Sequence, residues 1–264
     1  MNNTMPLIER GEFFLIAGPC AIESEQLCLD VAGQVSELAS RHGVPYIFKS
    51  SFMKANRTSA GSYSGPGLDA GLKVLEKVKR EFDLPVLTDV HETAQVKEVA
   101  EVADVLQIPA FLCRQTELVA AAAATGKWIN IKKGQFLAPD DMANVAAKAG
   151  GNKIMLTERG STFGYHNLVI DFRSLLIMKQ TGHKIVFDAT HSLQLPGGGE
   201  GVSLGQPEFV IPMAKAAVAV GIDGLFVETH PNPAEARCDA GVMLPLARMN
   251  ELLESVLRIR EAGK

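Results

Sequence analysis

Short runs of β-branched, aromatic and other apolar residues punctuate the chain at 13–17, 46–48, 86–88, 105–108, 128–131, 154–157, 185–187 and 225–227. Between them lie segments whose apolar residues recur every three or four positions, as in Leu27, Val31, Val35 and Leu38, or Leu68, Leu72, Leu75 and Val78. That spacing gives a helix one buried face. Further helices are expected at 93–102, 116–125, 140–149, 172–180, 207–220 and 245–261. Ser24 is a candidate N-cap for the first helix, and Gly126, Gly150, Gly182 and Gly221 follow the last periodic residues of others, where a left-handed residue ends a helix. Eight strands alternating with eight helices predict an α/β fold, a single (β/α)8 TIM barrel over residues 1–264 with a short N-terminal extension at 1–11. An open doubly wound sheet fits the same alternation, because pattern does not report closure.

Composition narrows the class of molecule. With 47% apolar residues among 264, the chain can bury a large core, and its formal charge of −4 argues against overall basicity as a means of binding nucleic acid or an anionic membrane. Any anion site must be a local concentration of charge. Cys20, Cys28, Cys113 and Cys238 form no CxxC pair, and residues 1–11 lack the features of a signal peptide, so the expected home is the cytoplasm. No apolar run reaches the roughly 18 to 20 residues of a spanning helix.

A barrel places its chemistry where strands end. Following the eight runs in turn come Cys20; Lys49 and Lys54; Asp89 and His91; Gln107; Lys132 and Lys133; Glu158 and Arg159; Asp188 and His191; and Glu228 and His230. Lys49, Lys54, Arg57, Arg114, Lys132, Lys133 and Arg159 would crowd positive charge into one mouth, which points to substrates carrying phosphate and carboxylate. If the fifth strand continues, one of Lys132 and Lys133 must face away. Cys20, His191, Glu228 and Asp239 make a mixed soft and acidic set suited to a divalent ion such as Zn, Fe, Mn or Co. Strands one, seven and eight adjoin in a closed barrel, which brings the four together. Without closure, they are a buried thiol and an unrelated histidine. The glycine-rich stretch at 157–164 could wrap a phosphate, and that at 194–201 could act as a lid. Gly201, Ser203 and Gly205 match G-x-S-x-G but follow a glycine loop instead of a strand, so they lack the setting of a nucleophile elbow.

Across nearly its whole length the chain resembles the 3-deoxy-D-manno-octulosonate-8-phosphate synthases. The resemblance rests on Ile16 to Cys20 with Glu23 and Ser24, Lys49 to Thr58, Thr88 to Glu92, Gln107 to Thr116, Lys132 to Phe136, Thr157 to Gly164, Asp188 to Ser192 and Glu228 to Pro231. Lys54-Ala55-Asn56-Arg57 favours these synthases over the related 3-deoxy-D-arabino-heptulosonate-7-phosphate synthases, which typically carry Lys-Pro-Arg-Thr there. The resemblance implies condensation of phosphoenolpyruvate with D-arabinose 5-phosphate and water for lipopolysaccharide synthesis. It implies that Arg114, Lys132 and Arg159 hold phosphoenolpyruvate, with Lys49, Ser50 and Lys54 near its carboxylate or reacting centre. Gln107 joins the substrate-binding set, and Asn56, Arg57 and Thr58 take the pentose phosphate. Cysteine at position 20, where the metal-independent branch has asparagine, implies the metal-dependent branch, with His191, Glu228 and Asp239 as the other ligands. Lys54, Asp89 and His191 are the candidates for moving protons. A homotetramer is also implied. The rivals are a Schiff-base aldolase using Lys132 or Lys54, and a sugar-phosphate-binding barrel without catalysis.

Overall fold

The computed structural model describes residues 4–55, 63–197 and 204–263. Asn56, Arg57 and Thr58, expected to bind the pentose phosphate, and residues 198–201 of the expected lid therefore lie outside the described residues. Eight parallel strands form the frame: β1 (Phe14–Gly18), β2 (Tyr46–Lys49), β3 (Val86–Asp89), β4 (Val105–Ile108), β5 (Trp128–Lys132), β6 (Ile154–Glu158), β7 (Lys184–Asp188) and β8 (Gly224–His230). Each pairs with the next, and β1 pairs with β8 in a register running from Phe14 opposite Gly224 to Gly18 opposite Glu228. The sheet is closed. The molecule is a single-domain (β/α)8 barrel, and the open sheet is excluded.

Helix α1 (Thr4–Glu9) precedes β1. The strands are then followed in turn by α2 (Glu25–Arg41), α3 (Leu68–Phe82), α4 (Thr93–Val102), α5 (Thr116–Ala124), α6 (Met142–Ala149), α7 (Arg173–Lys179), α8 (Val210–Val220) and α9 (Met249–Ala262). Ser24 caps α2 as expected, its hydroxyl accepting the Leu27 N–H at 3.1 Å. Three helices begin later than their patterns suggest. Short 3-10 turns at Pro139–Asp141, Pro207–Phe209 and Leu246–Arg248 lead into α6, α8 and α9; proline opens the first two, supplying a fixed φ but no N–H, and Pro245 precedes the third. Among the described residues no helix is long and apolar enough to cross a membrane.

Two apolar clusters divide the core. Leu15, Phe48, Leu106, Ile129, Leu156, Phe187 and Leu225 pack outward against the helices. Phe14, Ile16, Ile47, Leu87, Val105, Trp128, Met155, Val186 and Phe226 fill the barrel interior. Ile8 of α1 is fully buried in that inner cluster with Met5 beside it, so the N-terminal extension closes the bottom of the barrel. Because strand side chains alternate, moving two residues along each strand from the inner apolar layer reaches Lys49, Asp89, Gln107, Asn130, Thr157, Asp188 and Glu228; one further step of two on β5 reaches Lys132. The polar layer lies on the apolar one and faces the C-terminal mouth.

Candidate active site

A cavity of about 190 Å³ opens on this polar layer. Its charged and polar wall comprises Lys49, Lys54, Asp89, His91, Gln107, Lys132, Gln135, Arg159 and His191, and Met53, Ala110, Phe111 and Leu112 add apolar surface. Buried cations need partners. Lys49 Nζ lies 2.5 Å from Glu228 Oε1 and donates to the Cys20 carbonyl at 2.8 Å. Burial disfavours its charge, but the neighbouring Glu228 carboxylate, with Cys20 and Asp89 adding to it, outweighs that and raises the Lys49 pKa. Lys132 Nζ lies 2.5 Å from Asp188 Oδ2 and 3.8 Å from the centre of the Phe226 ring. Here burial wins over Asp188 and lowers the ammonium pKa. Lys54 Nζ is 2.8 Å from Asp239 Oδ2; burial is again outweighed, chiefly by Asp239, and its pKa stands well above the ordinary value.

Arg159 donates through Nη2 to Gln194 Oε1 at 2.8 Å, while Nη1 is buried without a partner among the described residues. Gln135 Oε1 is unpartnered in the same way. Unmet polar atoms on a cavity wall suit a polar ligand.

The mouths of β1, β7 and β8 hold a second group. One ligand atom each from Cys20, Glu228 and Asp239 falls within 4.8 Å of the others. His191 Nε2 approaches the same carboxylates, 3.5 Å from Glu228 Oε1 and 3.9 Å from Asp239 Oδ2. The His191 ring is held from behind, its Nδ1 lying 2.7 Å from Asp188 Oδ2, the arrangement that orients an imidazole for metal ligation. Glu228 Oε2 is buried and has no hydrogen-bond partner among the described residues. Burial pushes the Cys20 thiol pKa well up, with Cys238 and Asp239 adding to it. Asp239 adopts φ +48°, in the left-handed region that Asp tolerates better than most residues. A thiol and two carboxylates drawn together, with an imidazole beside the carboxylates and Glu228 Oε2 unused among the described residues, fit a borderline divalent ion.

A model of the DAHP synthetase I family matches residues 7–263. The chain belongs to the DAHP synthetase I family. Among its relatives, the 2-dehydro-3-deoxyphosphooctonate aldolase of Acidithiobacillus ferrooxidans is 59% identical over 255 residues, covering 96% of this chain and 91% of that protein. The proteins of the same name from Bordetella pertussis and Legionella pneumophila are 57% and 58% identical, covering 96% and 95% of this chain and 92% and 93% of their own lengths. That name is a synonym of the octulosonate-phosphate synthases that the sequence motifs resemble.

In this DAHP synthetase I family member, Lys49, Lys54, Asp89, Gln107, Lys132, Arg159 and His191 line one cavity, and Cys20, Glu228 and Asp239 adjoin it. Two expected substrate ligands do not join them. Ser50 follows inward-facing Lys49 and is wholly buried outside the cavity lining, its hydroxyl without a hydrogen-bond partner among the described residues. Arg114 is exposed beyond the 3-10 turn Ala110–Leu112 and does not line the cavity. Gln135 and Gln194 are site residues that the sequence pattern left unmarked. Gln194 bridges the two groups, its Nε2 donating to Asp239 Oδ1 at 3.0 Å while its Oε1 accepts from Arg159.

Proposed function

We propose that the protein condenses phosphoenolpyruvate with D-arabinose 5-phosphate and water, giving 3-deoxy-D-manno-octulosonate 8-phosphate and inorganic phosphate for lipopolysaccharide synthesis. The observation that carries this reading is the walling of a single cavity by Lys49, Lys54, Lys132 and Arg159, with an unpartnered Arg159 Nη1 among them. The names of the relatives support the substrate pair. Arg159 and Lys132 would hold the enolpyruvate phosphate, and Lys49 and Lys54 its carboxylate.

In the reaction, C3 of phosphoenolpyruvate bonds to the aldehyde carbon of the open-chain sugar while water adds at C2. One proton passes, in net terms, from that water to the aldehyde oxygen. The hemiketal phosphate then breaks its C2–O bond to phosphate and becomes the ketone, with the hemiketal proton leaving with the phosphate. Fixed cations in a largely buried site stabilise the charge that develops. Lys54, held protonated by Asp239, suits donation toward the aldehyde oxygen better than abstraction from water. Asp89 is a poor base: burial raises its carboxyl pKa, but Lys49, His91 and the side-chain donors Ser51 and Gln107 outweigh this and hold it below the usual range. Cys20, His191, Glu228 and Asp239 would hold a divalent ion, of which Zn, Fe, Mn and Co are the candidates. Such an ion supplies positive charge for orienting the aldehyde and organising water. The resemblance also implies a homotetramer, and exposed Phe111, Phe136, Phe163 and Tyr165 provide apolar surface for assembly.

Phosphate release from phosphoenolpyruvate is the deciding assay. It is expected with arabinose 5-phosphate, to fail or fall steeply with erythrose 4-phosphate, and to be lost on chelation and regained with added divalent ion. Equal rates with erythrose 4-phosphate would assign the heptulosonate reaction instead. Full activity after exhaustive chelation would remove the metal from the mechanism. The lowered pKa of buried Lys132 favours one further reading, a Schiff-base aldolase, which predicts a borohydride-trapped substrate adduct and no phosphate release.

A further inference from the structure

A row of hydrogen bonds crosses the inner face of the barrel on successive strands. Ser51 Oγ donates to Asp89 Oδ2, and Gln107 Nε2 donates to Asp89 Oδ1 at 2.6 Å. Asn130 Nδ2 donates to Gln107 Oε1 at 2.8 Å, and Thr157 Oγ1 donates to Asn130 Oδ1 at 2.5 Å. Asp89, Gln107, Asn130 and Thr157 stand on β3, β4, β5 and β6, and all four are buried.

The direction of this row is set from one end. A carboxylate only accepts, so Gln107 must turn its amide nitrogen toward Asp89 and its oxygen toward β5. That oxygen takes only a donor, which obliges Asn130 to present Nδ2 and leaves its Oδ1 for the Thr157 hydroxyl. The two ends of an amide are otherwise interchangeable in shape, and only such a network selects one. Reversing either amide would set acceptor against acceptor in a buried layer.

Gln107 and Asp89 line the cavity, whereas Asn130 and Thr157 do not. We propose that Asn130 and Thr157 are positioning residues that lock the Gln107 amide nitrogen beside Asp89 and so present its remaining N–H to an oxygen of the bound substrate. The identity of that oxygen, a carboxylate or phosphate oxygen of phosphoenolpyruvate, rests on the condensation proposed above. The row thus makes the deepest wall of the site a donor, although the carboxylate of Asp89 lies in the same wall.

The test combines calorimetric binding of phosphoenolpyruvate with steady-state kinetics on the full-length, metal-loaded protein. Thr157→Val keeps the shape and removes the terminal donor. It is expected to weaken binding and raise KM for phosphoenolpyruvate about tenfold, with kcat within threefold of wild type. Thr157→Ser should restore both. In a Gln107→Ala background Thr157→Val should change nothing further, because its effect runs through Gln107. Asn130→Asp, similar in size but acceptor-only when ionised, should bind more weakly still; if it does not fold, the Thr157 pair decides. The proposal is overturned if Thr157→Val binds as wild type does, if serine fails to rescue it, or if its effect persists without Gln107. Failure of the wild type to bind phosphoenolpyruvate at all would overturn the condensation, and the donor assignment with it.

Discussion

Lys132 points into the barrel, its ammonium between Asp188 and the face of Phe226, while Lys133 turns away behind the strand. Lys133 Nζ lies 3.0 Å from Ser161 Oγ and 3.6 Å from Glu158 Oε1 and is completely buried. Glu158 in turn accepts from the Gly160 N–H at 2.7 Å and the Ser174 hydroxyl at 2.6 Å. One lysine serves the cavity and the other ties its supporting loops together. Lys132→Met is therefore expected to lower kcat/KM by about 100-fold or more, with a smaller change in denaturation midpoint, because His191, Thr190 and backbone N–H groups still satisfy Asp188. Lys133→Met should do the reverse, costing about 3 kcal/mol by leaving Glu158 short of its cation while kcat/KM falls less. Urea denaturation and steady-state kinetics on the two variants check both halves. The alternation of a strand foretold that one of the pair must face away. Which one required the register, because Lys133 lies just past the strand end.

At the scale of elements, β1 and β2 approach so closely that a Cβ on Gly18 would sit 2.0 Å from the Lys49 carbonyl oxygen. Gly18→Ala must push the strands apart where Lys49 and Cys20 enter the site, and a loss of about 2 kcal/mol or more is expected, read as a lowered denaturation midpoint. KM for phosphoenolpyruvate should rise with it, since the backbone that carries Lys49 moves. The eight strands were legible because short β-rich runs separated by helical periodicity leave few alternatives. Their ends were less so. β8 extends through Glu228, Thr229 and His230, three polar residues that look like loop until the barrel supplies their partners. Helix α1 was invisible to periodicity, since a six-residue helix offers one turn and a half, and its helical state depends on Ile8 finding the barrel floor. The placement of Arg114 was not legible either: the 3-10 turn Ala110–Leu112 lines the cavity, and Arg114, two residues beyond it, is exposed.

The whole molecule is held shut at one seam, where β1 meets β8. Cys20 lies just beyond β1, Glu228 within β8 and Asp239 in the loop that follows, so the candidate metal ligands straddle that seam. A divalent ion bound there should stabilise the closed barrel in proportion to its saturation, by about 2.7 kcal/mol at a hundredfold excess over its dissociation constant. Added ion is expected to raise the thermal midpoint of chelator-treated wild type and leave that of Cys20→Ser unchanged; equal shifts in both would place the ion elsewhere. Cys20, His191, Glu228 and Asp239 stand out in the sequence as candidate ligands because their chemistry is unusual in combination, yet only barrel closure makes them neighbours. The same separation sets a schedule for the newborn chain. Cys20 and Asp239 are 219 positions apart, which at ordinary rates of translation is roughly 10 to 40 s of synthesis. Through that interval the thiol has emerged from the ribosome without its carboxylate partners, so a stalled or truncated chain would carry the sulfur but lack the carboxylates of the candidate ion site, which only a finished chain assembles.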